Sequence, residues 1–519
     1  MADTLEVPAS RTGGVTASRS RRPTTVAVVI VVALLAVGLG VRLWIMTGKL
    51  GTIDSDEAIT GLMARHLLDG ELRAFMWRLS YQGTIVTWPV AASFWLFGSS
   101  RFTLELPFLL MSAGATFMIW RIGLRFLRPF QAVFAALAFW LWPAIYVWVG
   151  VKPLLFYVPT LVLGLVVVLC AARVAERPGR IADWCVMGLA AGAGWWTSPN
   201  VMYFAIPVGV WFLAFHRRAI LPGALYAVPC AVLGALPWIW NQATYGLTAF
   251  ELKEGQAQGG YLDHLGYFFT HALPTALGIR APITGDWALE SLGPVLYVGA
   301  LGLLALAVFL GSRERSVAAI GLVCLPIVFA FNPVASNLTT DAVGNGRYFY
   351  FFAPFLAFAV ARLARPVAPA LVLAVAMAAS SVWGFARLYD VRDSIGVVRP
   401  LDRVIERLER DGHHEVFASF WVSSRLTFES DERIVAVATD LGPSFQGFED
   451  RVRDSMRPVY VTNREEGGLF DALGPVRANA RAAGIELEEI PVGNYLIVVP
   501  QGRLVAPPIT GEANLATRP

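Results

Sequence analysis

The chain has 519 residues, of which 56% are hydrophobic and 15% charged, with a mean hydropathy of +0.56. An ordinary soluble domain is about 25% charged, so the composition argues against a wholly water-soluble protein. The net charge of +4 comes from basic residues clustered between apolar runs, a pattern of membrane topology and not of nucleic-acid binding.

Residues 1–25 carry Arg11, Arg19, Arg21 and Arg22 ahead of a long apolar run. They read as a disordered cytoplasmic leader before an uncleaved first span. A bilayer core takes about 20 helical residues. On that rule spans are predicted near 26–46, 103–120, 131–150, 153–172, 182–199, 201–215, 219–240, 289–310, 316–333, 348–364 and 366–386. If these alternate, Arg121, Arg125 and Arg128, then Arg173, Arg177 and Arg180, then Arg217 and Arg218, Arg313 and Arg315, and Arg362 and Arg365 all share the side of the leader arginines. Basic loops are retained in the cytoplasm, so this side is assigned as cytoplasmic. Segment 84–98 is apolar but short and interrupted by Pro89. Counting it as a span would invert every later loop, so it is placed as an interfacial or re-entrant helix.

The outer face then holds loops 47–102, 241–288 and 334–347, and the tail from about 387. The tail, 387–501, reads as a small α/β domain. It has a helix over Leu401–Arg410, strands over Val416–Ser423, Ile434–Ala438, Pro458–Thr462 and Tyr495–Val499, and a helix within 469–483. Residues 502–519 read as a flexible end. The fold class is therefore a polytopic α-helical membrane protein of about 11 spans, 26–386, in the plasma membrane, with a C-terminal extracytoplasmic α/β domain. Cys170, Cys185, Cys230 and Cys324 all lie in apolar runs, which argues against a disulfide or a zinc site.

Asp54, Asp56 and Glu57 put three carboxylates into four residues directly after the first span, ahead of a helical pattern over Ala58–Leu68. Helix capping accounts for such a group: Asp54 or Ser55 as N-cap, Asp56 and Glu57 on the helix dipole. The same group suits a general base, because like charges raise one another's pKa, or a divalent cation held by oxygens. Lys152 sits at an outer span end; it either snorkels or contacts a phosphate. Arg347, where the last outer loop re-enters the membrane, has the forked geometry that binds phosphate. Tyr348 beside it is either part of the aromatic belt or part of a pocket. Trp195, Trp196, Trp238 and Trp240 read as aromatic belt.

These residues resemble the GT-C superfamily of membrane glycosyltransferases, within it the branch of protein O-mannosyltransferases and lipid A aminoarabinose transferases. The resemblance runs over about 45–385. It rests on Asp54-Ser55-Asp56-Glu57-Ala58, Gly61 to His66, Tyr81-Gln82-Gly83-Thr84, Trp195 to Pro199, Gly234 to Pro237 with Asn241, and Gly346-Arg347-Tyr348. It implies an inverting transferase that moves a sugar from a polyprenyl-phosphate donor to an extracytoplasmic acceptor. Asp56 becomes the general base, with Asp54 and Glu57 as supporting carboxylates or ligands of a divalent metal ion. Lys152 and Arg347 become donor-phosphate contacts, and Arg65, Tyr81 and Tyr348 candidates for the substrate pocket. Many relatives open the second span with an arginine-leucine-proline run; here it is Leu104-Glu105-Leu106-Pro107, with Arg101 nearby as a substitute. The competing readings are a transporter or lipid flippase, which places ionisable groups at mid-membrane, and a non-catalytic envelope-assembly protein.

Overall fold

The computed structural model describes residues 25–77, 79, 81–247, 259–332, 346–365, 367–394, 400–439, 445–455, 457–464 and 473–504. The leader, most of loop 334–347 and the C-terminal end from 505 lie outside the described residues.

Helices α1 (Thr25–Thr47) and α2 (Ser55–Leu68) are joined by a tight 3₁₀ turn at Lys49–Gly51. α3 (Thr87–Phe97) follows a short irregular loop. Its 11 residues reach about 16 Å, less than a bilayer core, and Trp95, Leu96 and Phe97 on it are exposed. The bundle continues with α4 (Arg101–Phe126), α5 (Pro129–Leu141), α6 (Ala144–Val149), α7 (Tyr157–Glu176), α8 (Ile181–Thr197), α9 (Met202–Phe215), α10 (Arg217–Gly234) and α11 (Leu236–Tyr245). After α12 (Tyr261–Tyr267) and α13 (Leu273–Ala276) come α14 (Gly293–Arg313), α15 (Val317–Ala330), α16 (Ala353–Leu363) and α17 (Val367–Ser394).

All eleven predicted spans are helical over most of their length. Among the described residues, five helices are long and apolar enough to cross a membrane unaided, and a sixth is the pair α10–α11, bent by 58°. The rest fall short either because the chain is broken within a predicted span or because the helix itself is short, as in α8, α9, α15 and α16 with 17, 14, 14 and 11 residues. Segment 131–150 divides at Trp142-Pro143 into α5 and α6, and the α10–α11 bend sits beside Pro237. Proline lacks the N–H an unbroken helix needs.

α8 packs on α10 through backbone contact: a Cβ at Gly188 or Gly192 would stand 2.0 or 1.9 Å from the carbonyls of Ala227 and Ala231. Small residues four apart permit this approach in bilayer helices. The basic loops meet at one end of the bundle. Arg125 pairs with Glu176, Arg173 and Arg180 with Asp183, and Arg362 with Glu314, while Trp211 donates to the carbonyl of Arg315. The predicted common side of these arginines is thus one physical face. α4 and α7 run from the opposite end, where α2 and the C-terminal domain lie.

That domain contains α18 (Asp402–Arg410), β1 (Glu415–Ala418), α19 (Phe420–Glu429), β2 (Val435–Ala438), α20 (Gln446–Asp454), β3 (Val459–Asn463), α21 (Leu473–Ala483), β4 (Leu487–Val492) and β5 (Tyr495–Pro500). The sheet order is β2-β1-β3-β5-β4, with β2, β1 and β3 parallel and β5 and β4 antiparallel. Two predictions fail here. The strand expected over Val416–Ser423 ends at Ala418, and α19 takes over. Phe420, Trp421 and Val422 favour a strand locally, but the segment packs as a helix between β2 and α2. β4 was not anticipated, because Glu488, Glu489 and Pro491 disfavour a strand; it is tolerated at the sheet edge.

Candidate active site

The first turn of α2 is set by its cap. The Glu57 N–H donates to Asp54 Oδ1 at 3.1 Å, and the Asp54 N–H donates back to Glu57 Oε2 at 2.8 Å. This reciprocal box satisfies two otherwise orphan donors. Lys152 completes it. Its Nζ lies 3.0 Å from Glu57 Oε2 and 3.3 Å from Glu105 Oε1, and donates to the carbonyls of Gly51 and Thr52 at 3.0 and 3.1 Å. The side chains of Lys152, Glu57 and Glu105 are all 0% exposed.

Asp56, between the capping residues, faces elsewhere. Its Oδ2 lies 3.7 Å from Arg347 Nη1, and the two side chains are 19% and 22% exposed. The Arg347 guanidinium stands 5.5 Å over the Tyr348 ring, and Tyr348 meets Tyr157 edge-on at 5.8 Å. Tyr81 joins the group electrostatically. Burial pushes its hydroxyl up to about 12, Tyr348 and Asp56 add to the rise, and Arg347 opposes it. Tyr81 therefore remains a protonated donor at neutral pH. The first turn of α2, the loop before α3 and the turn before α16 thus deliver an acid, a phenol and a guanidinium to one place.

Five expectations need correction. Lys152 does not face an open anion site: it has no exposed surface and its ammonium is surrounded by four protein oxygens. Glu57 is engaged by the cap and by Lys152. Asp54, Asp56 and Glu57 do not converge as metal ligands, because the cap turns Asp54 and Glu57 to each other; among the described residues no three His, Cys, Asp or Glu side chains form a metal-sized group. Arg65 leaves the pocket for the C-terminal domain, 2.7 Å from Asp431 Oδ1. Arg101 does not replace the missing arginine: it donates to the Met46 carbonyl at 2.6 Å. Glu105 was missed as a site residue. The signal was present, since a carboxylate inside a span must be paired.

A cavity of about 710 Å³ opens beside the second half of α2. Trp77, Trp88, Trp196 and Trp240 line it together with His66, Glu71 and Arg73. Two of the tryptophans assigned to an aromatic belt, Trp196 and Trp240, are therefore cavity walls. The Asp56–Arg347 pair does not line this cavity. The first α2 residue that does is Met63, seven positions or about 10 Å along the helix.

Residues 82–240 match the family described as dolichyl-phosphate-mannose-protein mannosyltransferase. No curated protein sequence matches the chain. Among solved structures, ArnT from Cupriavidus metallidurans bound to undecaprenyl phosphate superposes with a TM-score of 0.65 at 13% identity, over 92% of this chain and 98% of that one. The same enzyme in the apo state gives 0.62 at 13% identity, with the same coverage. This chain has the GT-C fold. The GT-C arrangement extends over both the multi-pass membrane part and the C-terminal domain, since the overlap takes in nine-tenths of the sequence. The family match begins after α2, so the placement of Asp56 rests on the structure and on the Asp54–Ala58 motif.

Proposed function

We propose that this protein is an inverting glycosyltransferase that takes a sugar from a polyprenyl-phosphate donor and gives it to an acceptor hydroxyl on the outer side of the membrane. The carrying observation is the partly open Asp56–Arg347 contact at the end of the bundle away from the basic loops. A prenyl chain stays in the bilayer, so its phosphate lies at headgroup depth. The fold match to a protein holding undecaprenyl phosphate supports this donor class.

Asp56 takes the proton from the acceptor hydroxyl. The freed oxygen attacks the anomeric carbon from the face opposite the leaving group, the bond to the phosphate oxygen breaks, and one displacement inverts the centre. Negative charge grows on the departing polyprenyl phosphate, where the Arg347 fork stabilises it. Tyr81, held protonated, donates a hydrogen bond to the donor phosphate or sugar. Glu57 and Lys152 act at one remove, by fixing the turn that presents Asp56. The aromatic cavity, with its polar end at His66, Glu71 and Arg73, suits an amphipathic acceptor.

The test is incubation of the purified protein in bilayers with a panel of radiolabelled polyprenyl-phosphate sugars and envelope acceptors. Transfer by the parent protein and its loss in Asp56→Asn is the expected result. Full transfer by that variant removes Asp56 as the base, and release of intact donor across the bilayer without transfer replaces the reading with transport.

A further inference from the structure

The C-terminal domain meets α2 along nearly its whole length. α2 and α19 run in the same direction. At the start, Ser55 Oγ donates to the carbonyl of Phe420 at 2.5 Å. In the middle, a Cβ at Gly61 would come within 2.4 Å of the Phe428 ring, so only glycine admits that ring. At the end, Arg65 Nη2 donates to the Phe428 carbonyl at 3.1 Å and to Asp431 Oδ1 at 2.7 Å, and its guanidinium lies 4.3 Å over the Phe428 ring. His66 Nε2 stands 3.3 Å from Glu432 Oε2, and its ring packs edge-on against Phe445 and Phe448.

The two acids occupy an unusual backbone. Asp431 and Glu432 follow α19 with φ of +51° and +59°, the left-handed region that glycine adopts without penalty and other residues rarely enter. Such strain persists where the surroundings over-determine it and where the side chain is needed. Glycines would close this turn more easily. What the acids add is their contact with Arg65 and His66.

We infer that the Asp431–Glu432 turn is a clamp by which the C-terminal domain fixes the position of α2, and so of Asp56 against Arg347. Arg65, His66, Asp431 and Glu432 are positioning residues: none touches the reacting atoms in the reading above, on which the activity arm of the test rests. Three fastenings, at Ser55, Gly61 and Arg65–His66, resist sliding and rotation of a helix whose first turn carries the base. A misplacement of about 1 Å in a catalytic group can cost on the order of 100-fold in rate.

The experiment uses the full chain in bilayer discs, with the variants Arg65→Glu, Asp431→Arg and their combination, and with Glu432→Gln as a milder variant should a charge reversal fail to insert. Hydrogen exchange over 55–68 and transfer kinetics are read in parallel. Each single variant is expected to speed exchange in the first turn of α2 and to lower kcat by at least about tenfold, toward the 100-fold limit of misplacement, with the donor KM little changed. The combined variant, in which the charges are swapped, is expected to recover both. Unchanged exchange over 55–68 in Glu432→Gln and the reversals overturns the clamp, as does a rise in KM at constant kcat. If the parent protein transfers no sugar from any donor, the functional reading falls, while the exchange arm still decides the clamp.

Discussion

Two contacts between acid and base lie side by side at the start of α2, and they are built in opposite ways. Lys152 with Glu57 and Glu105 is sealed: no side chain has exposed surface, and four oxygens crowd an ammonium that has three protons to give. Asp56 with Arg347 is partly open, with Oδ2 3.7 Å from Nη1. A fully desolvated charge must be paired by protein groups, so nothing of it remains for a substrate. A partly exposed charge can exchange its partner for a phosphate or a hydroxyl. Burial therefore separates two adjacent residues: Glu57 is sealed into the scaffold, and Asp56 keeps exposed surface.

Four measurements break or sharpen that contrast. The largest effect belongs to Asp56→Asn, which should lower transfer by about 10²–10⁴-fold, the usual weight of a general base, while thermal unfolding stays where it was. Arg347→Lys keeps the charge but loses the fork; a fall of roughly 10²–10³ in kcat is expected if it stabilises the leaving phosphate, again without loss of stability. Lys152→Met should invert the pattern. It leaves two buried carboxylates without a counter-charge, a loss of about 3–5 kcal/mol in stability, and the triple change with Glu57→Gln and Glu105→Gln should restore much of the stability. If Lys152→Met instead leaves stability intact and abolishes donor binding, the sealed contact is a phosphate site after all.

The smallest effect concerns pH. Burial alone would lower the pKa of His66, but Glu432 and then Glu71 outweigh it, so the net shift is upward. Burial would likewise raise Glu432, yet His66 and Arg65 hold it below its ordinary value. The His66 contribution is complete below its unfolded pKa and fades as pH rises through its raised folded value. The Glu432 contribution is present above its unfolded pKa and fades as pH falls through its depressed folded value. The α2 contact should thus be tightest in mildly acidic solution, and the protection of the 55–68 amides, relative to their intrinsic base-catalysed exchange, should fall toward alkaline pH. His66→Gln should flatten that alkaline limb.

The membrane part was legible because its physics is local. A run of about 20 apolar residues is a span whatever surrounds it, and the arginine clusters that defined one side meet in space, as in the Arg125–Glu176 and Arg362–Glu314 pairs. The carboxylate group after α1 was legible as a helix cap, and its acids were also read as candidates for chemistry. The structure puts Asp54 and Glu57 in the cap and turns Asp56 toward Arg347. Lys152 was misread because its exposure depends on Glu105, which stands 47 positions away. Arg65 was misread because its partner is in another domain, 366 positions on.

Composition and hydropathy by themselves determined that this chain enters a membrane, roughly where, and which residue types collect between its spans. Only the tertiary structure decided which charge is sealed and which is open, that Phe420–Glu429 is a helix, and that it lies against α2. The reason is one of range. Transfer of apolar surface and basic-loop retention are properties of short segments, whereas the fate of a charge depends on which distant oxygen or nitrogen the fold brings within 4 Å of it.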